Sequence, residues 1–198
     1  MKLNVPNILT LTRIAVIPVF VLVFFLPFNW AHPISAAIFA VAAFTDWLDG
    51  YLARKLDQTS RFGAFLDPVA DKLMVAVALI LLVSVQQSIW LSLPAIVIIG
   101  REIAISALRE WMAEIGERAQ VAVSYIGKIK TAGQMLALFL LLYREPIGGF
   151  PTYEVGLVLL YIAAALTLWS MAIYLGAAWP ALMGKDIDNN EQNSGPDY

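Results

Sequence analysis

Cysteine is absent from this chain and histidine occurs once, at His32. The first absence excludes disulfides, thiolate metal sites and a cysteine nucleophile together. The second leaves no imidazole cluster, so any metal must be held by oxygen, which suits Mg²⁺, Mn²⁺ or Ca²⁺. Charge is scarce as well. Only 14% of the 198 residues are charged, against about 25% in a soluble domain. The net charge of −2, with no basic tail, gives no sign of a nucleic-acid binder. Apolar residues fill the space instead: 60% of the chain is hydrophobic and the mean hydropathy is +0.74. The composition points to a membrane protein before any motif is read.

A span needs roughly 20 mostly apolar residues. Six stretches qualify: Ile8–Leu26, Ile34–Ala53, Val69–Val85, Ile89–Leu108, Ile129–Tyr143 and Val155–Gly176. The expected fold is an all-α integral membrane protein of six transmembrane helices with both termini cytoplasmic. The fifth stretch is short, with room to extend at its N-terminal end. Turn chemistry separates the spans at Pro27-Phe28-Asn29, Gln86-Gln87-Ser88 and Pro146-Ile147-Gly148-Gly149. With a cytoplasmic N-terminus, 12 of the 13 basic residues fall on the cytoplasmic side, and Arg144 alone on the other. The positive-inside rule favours that orientation. It also argues against reading the first span as a signal peptide, since its removal would spoil the charge split. Trp30, Trp90 and Trp179 sit near span ends, as interfacial anchors do. Residues 1–183 are read as a single membrane domain. The polar segment 184–198 cannot bury apolar surface and is read as a disordered tail.

Carboxylates within spans cost about 2.5–3.5 kcal/mol each on insertion scales, so they mark function. Asp46 and Asp49 lie in the second stretch, and Asp67 and Asp71 open the third. Positions 46, 49, 50, 53 and 54 form one stripe on a helix, and 63, 67 and 71 form another. Two helices joined by about ten residues can bring these stripes face to face. Four bare carboxylates there would repel one another, and one or two divalent cations would resolve the conflict. Gly50, Ala53 and Gly63 lack bulk, which lets a ligand or another helix approach the backbone. Arg54 offers a planar fork suited to phosphate. Taken singly, Asp46 and Asp49 could be helix-end carboxylates paired with Arg54 and Lys55. Asp57 reads as a solvated loop residue, His32 as an interfacial one, and Lys72 as a counter-charge or a snorkelling side chain.

The segment Asp46-x2-Asp49-Gly50-x2-Ala53-Arg54-x8-Gly63-x3-Asp67-x3-Asp71 resembles the signature of the CDP-alcohol phosphotransferase family at every fixed position. The likeness extends from Asn4-Val5-Pro6-Asn7 through Arg101-Glu102-Ile103 and Lys128-Ile129-Lys130-Thr131 to about Tyr174. It implies transfer of the phosphatidyl group of CDP-diacylglycerol to a small alcohol, with release of CMP. Asp46, Asp49, Asp67 and Asp71 are then the metal ligands, for Mg²⁺ or Mn²⁺ and two ions. Asp71 is the general base. Gly50, Ala53, Arg54 and Gly63 line the CDP-diacylglycerol site. The resemblance further implies a homodimer in the bacterial cytoplasmic membrane, in contact with membrane lipids, its site facing the cytoplasm.

A second cluster is basic: Arg101, Arg109, Arg118, Lys128 and Lys130. One use is topological, through orientation and contact with anionic lipid. The other is a phosphate pocket for an anionic acceptor. The resemblance favours the second, with sn-glycerol 3-phosphate as acceptor and Arg109, Arg118, Lys128 and Lys130 binding it. Arg101 neighbours Glu102 and is open to capture in an internal ion pair. Two alternatives stand beside this reading. One is a family member with another acceptor, such as inositol phosphate. The other is a cation-coupled transporter, disfavoured because its acids belong at the midplane rather than at one face.

Overall fold

The computed structural model describes residues 5–55, 61–115 and 125–183. The described residues form six α-helices: α1 (Val5–Phe24), α2 (Ala31–Lys55), α3 (Arg61–Gln86), α4 (Ile89–Glu114), α5 (Tyr125–Tyr143) and α6 (Thr152–Leu182). All six expected stretches correspond to helices; α1 ends at Phe24, two residues short of the expected Leu26, and the other five cover their apolar runs in full. α3 begins at Arg61 rather than Val69, so Gly63, Asp67 and Asp71 share one continuous helix with the span. The connection before it is correspondingly shorter than the ten residues expected. α5 extends N-terminally to Tyr125, where the sequence left room for it.

Five helices, α1 to α4 and α6, are long and apolar enough to cross a bilayer. The apolar part of α5, Lys130–Tyr143, is shorter. A helix of 26 residues such as α4 rises about 39 Å, more than the ≈ 30 Å of hydrocarbon it must cross. The surface supports the same conclusion. Leu22, Val41, Ile96 and Ile162 point outward and stand more than half exposed. Water would penalise such a surface, whereas lipid tails solvate it. The chain is an integral membrane protein.

All six helices contribute to its interior, with α5 packed most extensively against α6 and α1 against α2. Phe20, Phe39, Leu79, Leu138 and Leu142 are fully buried in the common core. The Phe20 and Phe39 rings meet at 6.5 Å between centroids, fixing α1 against α2. α6 approaches α5 closely at Gly156. A Cβ there would come within 3.0 Å of Leu141 Cγ and 3.2 Å of the Ala137 carbonyl oxygen. The intervening turn uses left-handed backbone at Gly148 (φ 57°) and Gly149 (φ 87°), which glycine adopts without a Cβ penalty. The Thr152 hydroxyl closes this turn by donating to the Glu145 carbonyl at 2.8 Å. Trp30, Trp90 and Trp179 are exposed near helix ends, where anchors were expected.

Candidate active site

The aspartates are placed by helix periodicity. Asp46 and Asp49 lie one turn apart near the end of α2, and Asp67 and Asp71 one turn apart near the start of α3. α1 faces them with Asn7, Thr10 and Arg13, all buried and spaced by three residues. Arg13 stands at the centre. Its Nη1 donates to Asp46 Oδ1 at 2.8 Å and also to Asp71 Oδ1. Its Nη2 donates to Asp49 Oδ2 at 2.5 Å. One turn before it, the Thr10 hydroxyl donates to Asp67 Oδ1 at 2.5 Å. The two stripes do converge, and α1 organises them.

Solvent reaches this cluster unevenly. The Asp49 side chain is 3% exposed, whereas Asp46 and Asp71 are 34% and 36% exposed. The open side of the site is therefore the Asp46–Asp71 side, where a substrate could meet a carboxylate. Met74 of α3 and Met135 of α5 line the inner side beside Arg13. At Gly50, an added Cβ would meet no atom within 4 Å. Close internal packing therefore does not require a glycine there. Gly63 is buried. Ala53 and Arg54 lie in the last turns of α2, but their side chains are outside the described residues, as is Asp57.

The donor set suits a hard divalent cation. All four groups are carboxylates, and one guanidinium leaves a formal excess of three negative charges. Among the described residues, no three acidic side chains already form a cation cage. Three of the four instead turn an oxygen to Arg13.

The basic cluster divides. Arg101 Nη1 pairs with Glu102 at 2.8 Å, and Nη2 donates to Ser170 of α6 at 3.1 Å. The internal ion pair anticipated from sequence is present. Lys130 is buried and lies within electrostatic reach of both Arg101 and Glu102. Arg109, two turns further along α4, is exposed. Arg118 and the Lys128 side chain fall outside the described residues. Lys72 donates to Ser106 of α4, and among the described residues no ion pair joins it to an aspartate. Arg13 supplies the counter-charge instead.

The profile of the CDP-alcohol phosphatidyltransferase family matches residues 3–169. The chain belongs to this family. A CDP-alcohol phosphatidyltransferase is a divalent-metal enzyme in general, in keeping with the oxygen donors above. Among its relatives, a Pectobacterium atrosepticum protein is 61% identical over 179 residues, 90% of this chain and 96% of its own. One from Yersinia pestis is 59% identical over 186 residues, 92% of this chain and 99% of its own. One from Salmonella typhimurium is 57% identical over 178 residues, 90% and 96% of the two chains. All three carry the name CDP-diacylglycerol–glycerol-3-phosphate 3-phosphatidyltransferase.

Sequence reasoning missed Thr10 and Arg13 in this phosphatidyltransferase. It counted Arg13 only toward membrane orientation. The available signal was the polar i, i+3, i+6 series Asn7, Thr10, Arg13 within a helix whose one other polar side chain is Thr12.

Proposed function

We propose that this chain transfers the phosphatidyl group of CDP-diacylglycerol to sn-glycerol 3-phosphate, giving phosphatidylglycerophosphate and CMP. The observation that carries this reading is 57–61% identity, over about nine-tenths of the chain, to proteins named for that reaction. The complete eight-position aspartate motif on α2 and α3 supports it.

The acceptor hydroxyl oxygen attacks the phosphorus that bears the diacylglyceryl group. The bond from that phosphorus to the CMP oxygen breaks, and CMP leaves with the electron pair. Asp71, open on the solvent side of the cluster, takes the hydroxyl proton on a carboxylate oxygen. Asp46, Asp49, Asp67 and Asp71 would hold the divalent ions, Mg²⁺ or Mn²⁺ and two in number. Such ions supply, when bound, positive charge against the phosphate oxygens. Gly50, Ala53, Arg54 and Gly63 bind the nucleotide side of the donor. Lys130, with Arg109, Arg118 and Lys128, receives the acceptor phosphate, and Arg101 adds its charge beside Lys130. The site faces the cytoplasm of a bacterial inner membrane, where a water-borne acceptor and a bilayer-borne donor meet. A homodimer is proposed with it, to be read from the protein's mass in detergent.

The test is CMP release by detergent-purified protein given CDP-diacylglycerol, Mg²⁺ and, in turn, glycerol 3-phosphate, inositol 1-phosphate, serine and phosphatidylglycerol. Turnover with glycerol 3-phosphate alone is expected. Turnover with another acceptor would overturn the assignment of the basic pocket and keep the family.

A further inference from the structure

α3 and α6 each pack against both α4 and α5, whereas among the described residues α4 and α5 do not approach each other closely. The four helices therefore ring a space. Charge crosses it: the buried Lys130 of α5 lies within electrostatic reach of Arg101 and Glu102 of α4. Arg101 is held by two of its three nitrogens. Nη1 donates to Glu102 Oε1 at 2.8 Å, and Nη2 to Ser170 Oγ of α6 at 3.1 Å. Its Nε is buried and meets no acceptor among the described residues. A buried N–H left so is costly, and an anionic oxygen is the partner that suits it. Glu102 is half used as well. Only Oε1 is bonded among the described residues, and its side chain is 30% exposed, against 15% for Arg101. A carboxylate present only to neutralise Arg101 would gain from a bidentate pair. This one leaves Oε2 available as a hydrogen-bond acceptor.

Glu102 also lies toward the reacting groups. With Lys72 and Ser106 it lines a cavity of ≈ 480 Å³ between α3 and α4. Ser106 Oγ, one turn further along α4, donates to the Glu102 carbonyl at 2.5 Å and accepts from Lys72 Nζ. Lys72 directly follows Asp71. The Glu102 turn of α4 is thus tied to the turn of α3 that carries the proposed base. An acceptor with its phosphate at Arg101 and Lys130 and its attacking hydroxyl at Asp71 passes its carbon chain beside Glu102. We infer that Glu102 is a specificity-determining residue for the acceptor: its Oε2 accepts a hydrogen bond from a hydroxyl next to the attacking one, so the site selects three-carbon phosphomonoesters that carry that second hydroxyl. The inference rests on the proposed acceptor pocket. A site built to bond a substrate hydroxyl discriminates against the analogue that lacks it, because its own polar group is then left unpaired.

The test compares two acceptors on the full-length protein in detergent with CDP-diacylglycerol and Mg²⁺: sn-glycerol 3-phosphate and propane-1,3-diol monophosphate. The second keeps the phosphate and the attacking hydroxyl and lacks only the hydroxyl between them. Wild type should prefer glycerol 3-phosphate by about tenfold or more in kcat/KM, the worth of a hydrogen bond to a charged group. Glu102→Ala should bring that ratio close to one. Glu102→Gln, whose carbonyl still accepts, should keep part of it. If the alanine variant does not fold, Glu102→Leu, close in volume, takes its place. A ratio near one in wild type, or a wild-type ratio in the variant that cannot accept, would overturn the inference. A role confined to holding Arg101 slows both acceptors alike and leaves the ratio as it was. Isothermal titration with the two phosphates reads the same preference without turnover. A binding preference that Glu102→Ala abolishes, in a protein that releases no CMP, would therefore sink the reaction and keep the role of Glu102, whereas turnover with an unaltered ratio would do the reverse.

Discussion

Arg13 Nη2 lies 2.5 Å from Asp49 Oδ2, and both side chains are almost wholly withdrawn from solvent. The same guanidinium also serves Asp46 and Asp71. Removing one partner of a buried ion pair strands the other, at about 3–5 kcal/mol. Arg13→Gln should therefore lower the thermal stability of the metal-free protein markedly. Added Mg²⁺ should restore part of that loss by supplying the missing positive charge. Thermal unfolding in detergent, with and without the ion, checks this. Wild-type stability in metal-free Arg13→Gln would mean that the guanidinium does not hold the cluster together.

Thr10 acts through Asp67, to which it donates at 2.5 Å. Outer-sphere partners of ligating groups typically contribute 10- to 100-fold in metal affinity. Thr10→Val is expected to weaken Mn²⁺ binding by about tenfold, with a matching rise in the metal concentration needed for CMP release. Chelation should abolish turnover in both proteins, and an excess of ion should rescue the variant nearly to the wild-type rate.

Asp71→Asn keeps the shape of the side chain and loses its basicity. Turnover should fall by about 10²–10⁴-fold, the range for a general base. Binding of CDP-diacylglycerol, measured by equilibrium methods, should change far less. A variant with nearly full turnover would remove the base assignment.

Lys130 is buried on α5 beside Arg101 and Glu102. Lys130→Met preserves the length of the stem and deletes the charge. If it receives the acceptor phosphate, the KM for glycerol 3-phosphate should rise about tenfold or more, while the KM for the lipid donor stays near wild type. Equal increases in both would indicate a packing or orientation role.

Gly156 provides a control away from the chemistry. A branched side chain there meets Leu141, Leu140 and the Ala137 carbonyl. Gly156→Val should cost about 1–3 kcal/mol through overpacking between α5 and α6. Turnover per folded molecule should change little, because the aspartates sit on other helices. An unaltered melting temperature would mean that the two helices separate freely at this point.

Much of this protein was legible before folding was considered. Hydropathy alone marked the positions of all six helices, because a segment enters a bilayer on its own composition. The aspartate stripes were legible for a related reason. Two aspartates per helix, one turn apart, leave a fixed local spacing, and both helices fall within one short stretch of chain. Lys72 was harder. It neighbours Asp71 in sequence, yet its side chain crosses to Ser106 of α4, a choice made by the rotation of α3 against α4.

Arg13 marks where local reading ends. Its partners lie 33, 36 and 58 residues away, and no periodicity links α1 to them. As a single basic residue near a span end, it was already accounted for by membrane orientation. Only the packing of α1 against both α2 and α3 makes it the shared donor of three carboxylates. The sequence by itself determined that the chain crosses the membrane, where its helices run and which acids gather near the ends of α2 and α3, because each follows from composition or spacing within one or two neighbouring segments. The tertiary structure decided which cation those acids share, because that depends on how helices distant in sequence are turned toward one another.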